Sequence, residues 1–154
     1  RAWWNCVRRA RKVVTNAIGA LSRNPKGYFL MVEWDLHTDD IKRGLDRTLV
    51  IDRVIRETVE KAGPRTLVIF AADHSFDIRL RGGAKGRPLL PGPGPEGTPP
   101  ANPPLRMDDG HTGEEVVVAA QGPGAGRVRG FIANTDLFQI MMAAYGWKEA
   151  PAAR

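Results

Sequence analysis

The chain has 154 residues, 42% of them apolar, which predicts one domain and argues against disorder throughout. No apolar run approaches the roughly 18 residues of a membrane-spanning helix, no signal peptide is visible, and the lone Cys6 excludes an intramolecular disulfide or a cysteine-rich zinc finger. The net charge is +6, but the basic residues at 79–87 have no aromatic residues between them, so we expect no nucleic-acid partner.

The first half of the chain has the pattern of alternating helices and strands. Residues 3–22 carry apolar side chains at helical spacing, and so do residues 40–61, which end before Gly63 and Pro64. Residues 28–32 and 66–72 are continuous apolar runs, as expected of strands buried on both faces. A helix long enough to cross over between two such strands predicts a parallel pair.

The second half begins with a change in composition. Residues 81–104 contain many glycines and eight prolines, which predicts a long, flexible loop without regular structure. Residues 115–120 are a third strand candidate, and residues 135–146 a final helix. We therefore expect an α/β fold in which the strands form one sheet flanked by helices.

Metal-ligating side chains follow the two apolar runs and the long loop. All three histidines of the chain lie at such places. Carboxylate oxygens and imidazole nitrogens are the ligands that magnesium and zinc take, and sites in open α/β sheets lie beyond the carboxyl ends of strands. The sequence therefore predicts a metal centre at the edge of the sheet, with these candidate ligands: Glu33, Asp35, His37, Asp73, His74 and His111.

Simpler explanations exist for each group taken alone. Asp35 could cap a helix while Glu33 lies on the surface, and His111 could belong to an ordinary glycine loop. A serine triad is not expected from the consecutive residues 73–75, because triad members come from separate segments. If the histidines are structural, the chain could instead be a basic binding module without enzymatic activity.

Three stretches together resemble the alkaline phosphatase family. They are NPKGYFLMVE at 24–33, LVIFAADHS at 67–75 and HTGEEV at 111–116, followed by AQGPG at 120–124 and NTDLF at 134–138. The resemblance extends over most of the chain and joins three ligand motifs in sequence order. It implies a three-layer α/β sandwich with a mostly parallel central sheet, of which residues 1–154 form the carboxy-terminal part of a single domain.

The resemblance also implies two zinc ions and one magnesium ion. By this likeness Glu33 is the magnesium ligand, and Asp73 with His74 binds the zinc that activates the nucleophile. His111 binds the other zinc, which activates the water. The aspartate and histidine that complete this zinc site have Asp35 and His37 as the nearest candidates, with the alternatives Asp39 and Asp40 left open.

The nucleophilic serine of the family has no match here and is expected upstream of the chain, because neither Ser22 nor Ser75 has the expected surroundings. The implied activity of the full-length protein is hydrolysis of phosphate monoesters, in a periplasmic or secreted protein that could be a homodimer. The same resemblance leaves a metal-dependent phosphodiesterase, mutase or sulfatase as alternatives. The fragment alone is expected to be inactive.

Overall fold

The computed structural model describes residues 2–38, 40–82, 85–86, 88–90 and 104–147. These residues form an α/β chain with three α-helices: α1 (Ala2–Leu21), α2 (Ile41–Ala62) and α3 (Asp136–Ala144). They also contain four strands: β1 (Val68–Ala71), β2 (Ser75–Leu80), β3 (Leu105–Thr112) and β4 (Val118–Gln121). None of the described helices is long and apolar enough to cross a membrane.

The chain divides into two compact units. The first unit comprises Arg1–Trp34, Val50–Ala72 and Val117–Arg154. The second unit comprises Asp35–Leu49 and Asp73–Val116.

The core of the first unit lies between α1 and the second half of α2. Val14 and Ile18 of α1 and Val50 and Val54 of α2 are buried, and the exposed fraction of Ile18 is only 2%. The spacing of four residues within each pair places both side chains on one face of the helix. Burial of each such side chain stabilises the fold by about 1.5–3 kcal/mol.

The three helices predicted from apolar spacing are confirmed, with small differences at their ends. α2 ends where Gly63 adopts a left-handed φ of 74° and donates its N–H to the carbonyl oxygen of Val59 at 3.1 Å. Glycine adopts this conformation without the steric cost of a Cβ, so it terminates the helix as expected.

The strand predicted at residues 28–32 is not found among the described strands. Leu30 packs against the buried core, whereas the side chains of Phe29 and Met31 are 63% and 76% exposed. The segment therefore alternates between a covered face and a bare face, and the prediction of burial on both faces is wrong. The hydroxyl of Tyr145 donates a hydrogen bond to the carbonyl oxygen of Tyr28 and holds the start of this segment.

The strand predicted at residues 66–72 is present as β1, but its partner is β4 and the pair is antiparallel. Val68 lies opposite Gln121, and Ala71 lies opposite Val118. The third strand candidate, residues 115–120, thus forms a strand shifted toward its C-terminal end. Among the described residues each strand has one partner, β1 with β4 and β2 with β3, and both pairs are antiparallel, so no parallel pair is present there.

Gly122 follows β4 at a close backbone approach. Its φ is 103°, and a Cβ built at this position would overlap the carbonyl oxygen of Thr66 and lie 3.2 Å from the Cα of Leu67. Only glycine combines the positive φ with the absence of a side chain that this contact requires.

The second unit contains the antiparallel pair of β2 and β3. Ser75 lies opposite Thr112 and Phe76 opposite His111, with an irregularity in the register between Phe76 and Ile78. The simpler alternative, that His111 belongs to an ordinary glycine loop, does not hold, because His111 lies within β3. The predicted flexible loop at residues 81–104 falls largely outside the described residues.

Asp77 and Arg79 form an ion pair along β2. Nε and Nη2 of Arg79 donate to the same carboxylate oxygen of Asp77, at 3.0 and 2.6 Å. These hydrogen bonds hold the pKa of Asp77 below its ordinary value, because they favour the charged carboxylate.

The pairing should therefore be visible in an NMR titration of the Asp77 carboxyl carbon. A lowered pKa means that the folded state binds fewer protons, so the stabilisation exists above the ordinary carboxyl pKa and is lost as the pH falls through the folded-state pKa. In Arg79→Gln we expect the pKa of Asp77 to rise toward its ordinary value. An unchanged pKa in Arg79→Gln, or an equal rise in the control Arg81→Gln, would contradict the assignment.

Candidate metal centre

The three histidines of the chain converge within the second unit. One ring nitrogen of each of His37, His74 and His111 lies within 4.8 Å of those of the other two. Nε2 of His37 is 3.3 Å from Nε2 of His74 and 3.1 Å from Nε2 of His111. Side chains separated by up to 74 positions in sequence thus meet at one point.

Each ring is placed by a different element. His74 directly precedes β2, His111 lies on β3, and His37 lies in the segment before α2. The antiparallel register brings the first two together, and their rings stack with centroids 3.7 Å apart and planes inclined by 20°. Phe76 contacts His37 edge to face at 4.9 Å and thereby forms one wall of the cluster.

The hydrogen bonding of His74 leaves its Nε2 able to bind a metal. Its Nδ1 is 3.0 Å from the carbonyl oxygen of Ser75, which can only accept, so Nδ1–H donates. In the neutral imidazole Nε2 then carries the lone pair, and such a backbone contact is the usual support of a ligating histidine.

One pair of ring nitrogens lies at the separation of two ligands of the same zinc. Two imidazole nitrogens bound at about 2.05 Å to a tetrahedral zinc lie about 3.3 Å apart. The distance between Nε2 of His37 and Nε2 of His111, 3.1 Å, is close to that value.

Of the predicted carboxylates, one lies beside His74 and two accept hydrogen bonds from backbone N–H groups. The side chain of Asp73 is 91% exposed, and its Oδ2 lies 3.6 Å from Nε2 of His74. Asp35 accepts the backbone N–H of His37 through Oδ1 at 2.7 Å. Asp40 accepts the backbone N–H of Arg43 at 3.0 Å, as a residue before a helix does, which favours a capping role.

Two further candidates are not brought to the cluster by the described geometry. Glu33 is exposed and belongs to the first compact unit, so the structure does not relate it to the histidines. Asp39 lies outside the described residues. The roles of all the candidate residues as metal ligands stay predictions.

Two residues beside the histidines were not predicted from the sequence. Phe76 lines the cluster, and Arg47 donates from Nη1 to the carbonyl oxygen of His37 at 2.7 Å. Arg47 had no distinguishing signal, because it is one of several arginines on an amphipathic helix. Phe76 lies two residues after His74, and that proximity in sequence was the one signal available for it.

Three imidazoles that converge in this way are a group that can hold a divalent metal ion. Comparison with known proteins gives the family: the profile of the alkaline phosphatase family matches residues 10–92. The chain belongs to the alkaline phosphatase family. No solved structure gives a significant match.

Curated relatives agree with this assignment. The chain is 30% identical to alkaline phosphatase of Escherichia coli (strain K12) over 160 residues, which cover 89% of this chain and 32% of that protein. It is 36% identical to streptomycin-6-phosphate phosphatase of Streptomyces griseus over 136 residues, which cover 79% of this chain and 30% of that protein. It is 30% identical to alkaline phosphatase H of Pseudomonas aeruginosa over 155 residues. The chain thus spans about a third of the length of these relatives.

Proposed function

We propose that this chain supplies metal ligands to a metal-dependent hydrolase of phosphate monoesters, which in its full-length form is an alkaline phosphatase. The family supports a phosphatase, and the convergence of His37, His74 and His111 is the single observation that supports a metal-dependent one. The relatives are named as phosphatases, one of them for streptomycin 6-phosphate, which supports phosphate esters as the substrate class.

The proposed ligand set combines the histidine cluster with the roles that the family resemblance implies. Asp73 and His74 are proposed for one zinc, and His111 with His37 and Asp35 for the other. The ions of a dinuclear centre lie about 3.5–4 Å apart, so ligands of both ions gather within a few ångströms, as these ring nitrogens do. Glu33 is proposed for magnesium on the resemblance alone.

The chain's own residues prepare the site for an anionic substrate. Bound zinc would polarise the phosphoryl oxygens as a Lewis acid. The backbone carbonyl oxygen of Ser75 accepts the Nδ1–H of His74, which keeps the Nε2 lone pair directed at the cluster. Phe76 packs edge to face against His37 and covers that side of its ring. The nucleophilic serine is proposed to lie in a part of the protein upstream of residue 1.

The remaining features of the whole protein are proposals as well. We infer a three-layer sandwich with a mostly parallel central sheet, in which residues 28–32 would gain a strand partner. The exposed side chains of Phe29 and Met31 support a further packed layer, because they leave one face of that segment uncovered. A periplasmic or secreted location and a homodimer are inferred from the resemblance.

The proposed activity is tested with the full-length protein and the 154-residue chain side by side. With zinc and magnesium at alkaline pH, the full-length protein should hydrolyse an aryl phosphate, lose activity with a chelator and regain it with zinc. The chain alone should show no turnover, because it lacks the nucleophile. Faster hydrolysis of an aryl sulfate or a phosphodiester would favour the alternative activities. Chelator-sensitive turnover by the chain alone would place the nucleophile within it.

A further inference from the structure

The backbone of His37 is held on both sides by charged side chains. Its N–H donates to Oδ1 of Asp35 at 2.7 Å, and its carbonyl oxygen accepts from Nη1 of Arg47 at 2.7 Å. Hydrogen bonds to charged groups are stronger than neutral ones. His37 is thus fixed at both main-chain polar groups although it lies in a segment outside the helices and strands.

The next residue ties the same segment to the start of α2. Thr38 is only 8% exposed, and its hydroxyl accepts the N–H of Asp40 at 3.1 Å. Thr38 packs over the first turn of α2, where a Cβ built on Gly44 would lie in van der Waals contact with Cγ2 of Thr38, at 3.4 Å. The segment therefore rests on α2, and Arg47, one turn beyond Arg43, is the helix residue that reaches back to His37.

We propose that Arg47 is a positioning residue, which orients His37 toward His74 and His111 by holding its carbonyl oxygen. This rests on the proposed metal-binding function of the three histidines. The direction of the Cα–Cβ bond of His37 is set by the two peptide planes beside it, and Arg47 holds the plane on the C-terminal side. Loss of that hydrogen bond frees the plane to rotate and moves Nε2 out of the 3.1–3.3 Å range in which it meets the other rings.

The test measures zinc affinity of the 154-residue chain by competition with a chromophoric chelator. Arg47→Gln should raise the Kd for zinc about 10–100-fold, as loss of a residue that orients a ligand does. Arg47→Met, which keeps the aliphatic stem and removes the donors, should do the same, and Arg47→Lys should recover part of the affinity. The control Arg56→Gln removes an exposed arginine from the same helix, paired only with Asp52 in the described contacts, and should leave the Kd within about twofold.

A double-mutant cycle separates positioning from a general loss of structure. In the His37→Ala background, Arg47→Gln should have no further effect on the Kd, because the residue it orients is gone. The absorption bands of bound Co²⁺ should shift in Arg47→Gln and not in Arg56→Gln. An equal loss of affinity with and without His37 would overturn the inference, as would wild-type affinity and spectrum in Arg47→Gln.

The outcomes also separate this inference from the proposed function. If the wild-type chain binds no zinc, the metal-binding proposal and the inference that rests on it both fail. If the wild type binds zinc and His37→Ala weakens it while the Arg47 variants do not, only the inference on Arg47 fails. If circular dichroism shows that Arg47→Gln has lost helix, the Kd for zinc and the Co²⁺ spectrum of Arg47→Met are used instead, with the same criteria.

Discussion

Replacing His111 with alanine should raise the Kd of the chain for zinc at least about 100-fold, beyond the 10–100-fold range of residues that only orient ligands. The variant removes one of three ring nitrogens that lie within 4.8 Å of one another. It also removes the ring that stacks on His74 at 3.7 Å, so the two remaining imidazoles lose a fixed neighbour. The affinity is measured by competition with a chromophoric chelator, and the release of protons on binding gives an independent count of ligands.

Glu115→Gln is the matched control for this variant. Glu115 is exposed and lies a few residues beyond the same strand, so it tests a nearby change that leaves the cluster intact. Its Kd should stay within about twofold of wild type. Circular dichroism checks that His111→Ala keeps the fold. Tight zinc binding by a folded His111→Ala chain would contradict the candidate site.

Replacing Gly122 with alanine should lower the free energy of unfolding by about 2–5 kcal/mol, the sum of about 1–2 for a positive φ and about 1–3 for overpacking. The φ of Gly122 is 103°, and an added Cβ would overlap the carbonyl oxygen of Thr66. The atoms that the Cβ would meet, the carbonyl oxygen of Thr66 and the Cα of Leu67, belong to the backbone and cannot rotate away as a side chain can. Relief of the overlap would separate the start of β1 from the end of β4. Urea unfolding followed by circular dichroism measures the change.

Gly124→Ala separates the two causes. Gly124 has a similar positive φ of 83°, but an added Cβ would meet no atom within 4 Å. This variant should therefore lose only the conformational part, about 1–2 kcal/mol. Equal losses in Gly122→Ala and Gly124→Ala would show that the close approach to Thr66 contributes nothing to stability.

The helices follow from local properties of the sequence. Apolar side chains at a spacing of three and four residues predicted α1 and α2, and glycine marked the end of α2 at Gly63. These features depend on residues close in sequence, so the sequence is sufficient to predict them. The motifs at residues 24–33, 67–75 and 111–116 were together sufficient to predict the family, which the comparisons confirm.

The pairing of strands was decided by the tertiary structure. Residues 66–72 were correctly predicted as a strand, but a continuous apolar run does not specify whether its neighbour is parallel or antiparallel. β3 escaped prediction because its sequence, LRMDDGHT, has neither the alternation nor the apolar content of a typical strand. It forms a strand through its pairing with β2, a contact between residues distant in sequence.

The sequence by itself determined which side chains could bind a metal, since all three histidines followed apolar or glycine-rich runs. Only the tertiary structure decided that His37, His74 and His111 meet, that Ser75 directs the ring of His74, and that Arg47 holds the backbone of His37. The physical reason is the sequence separation between the residues that decide each property. Residue type and local spacing decide the chemistry of a side chain, whereas its distance from another ring depends on the register and packing of segments up to 74 positions apart.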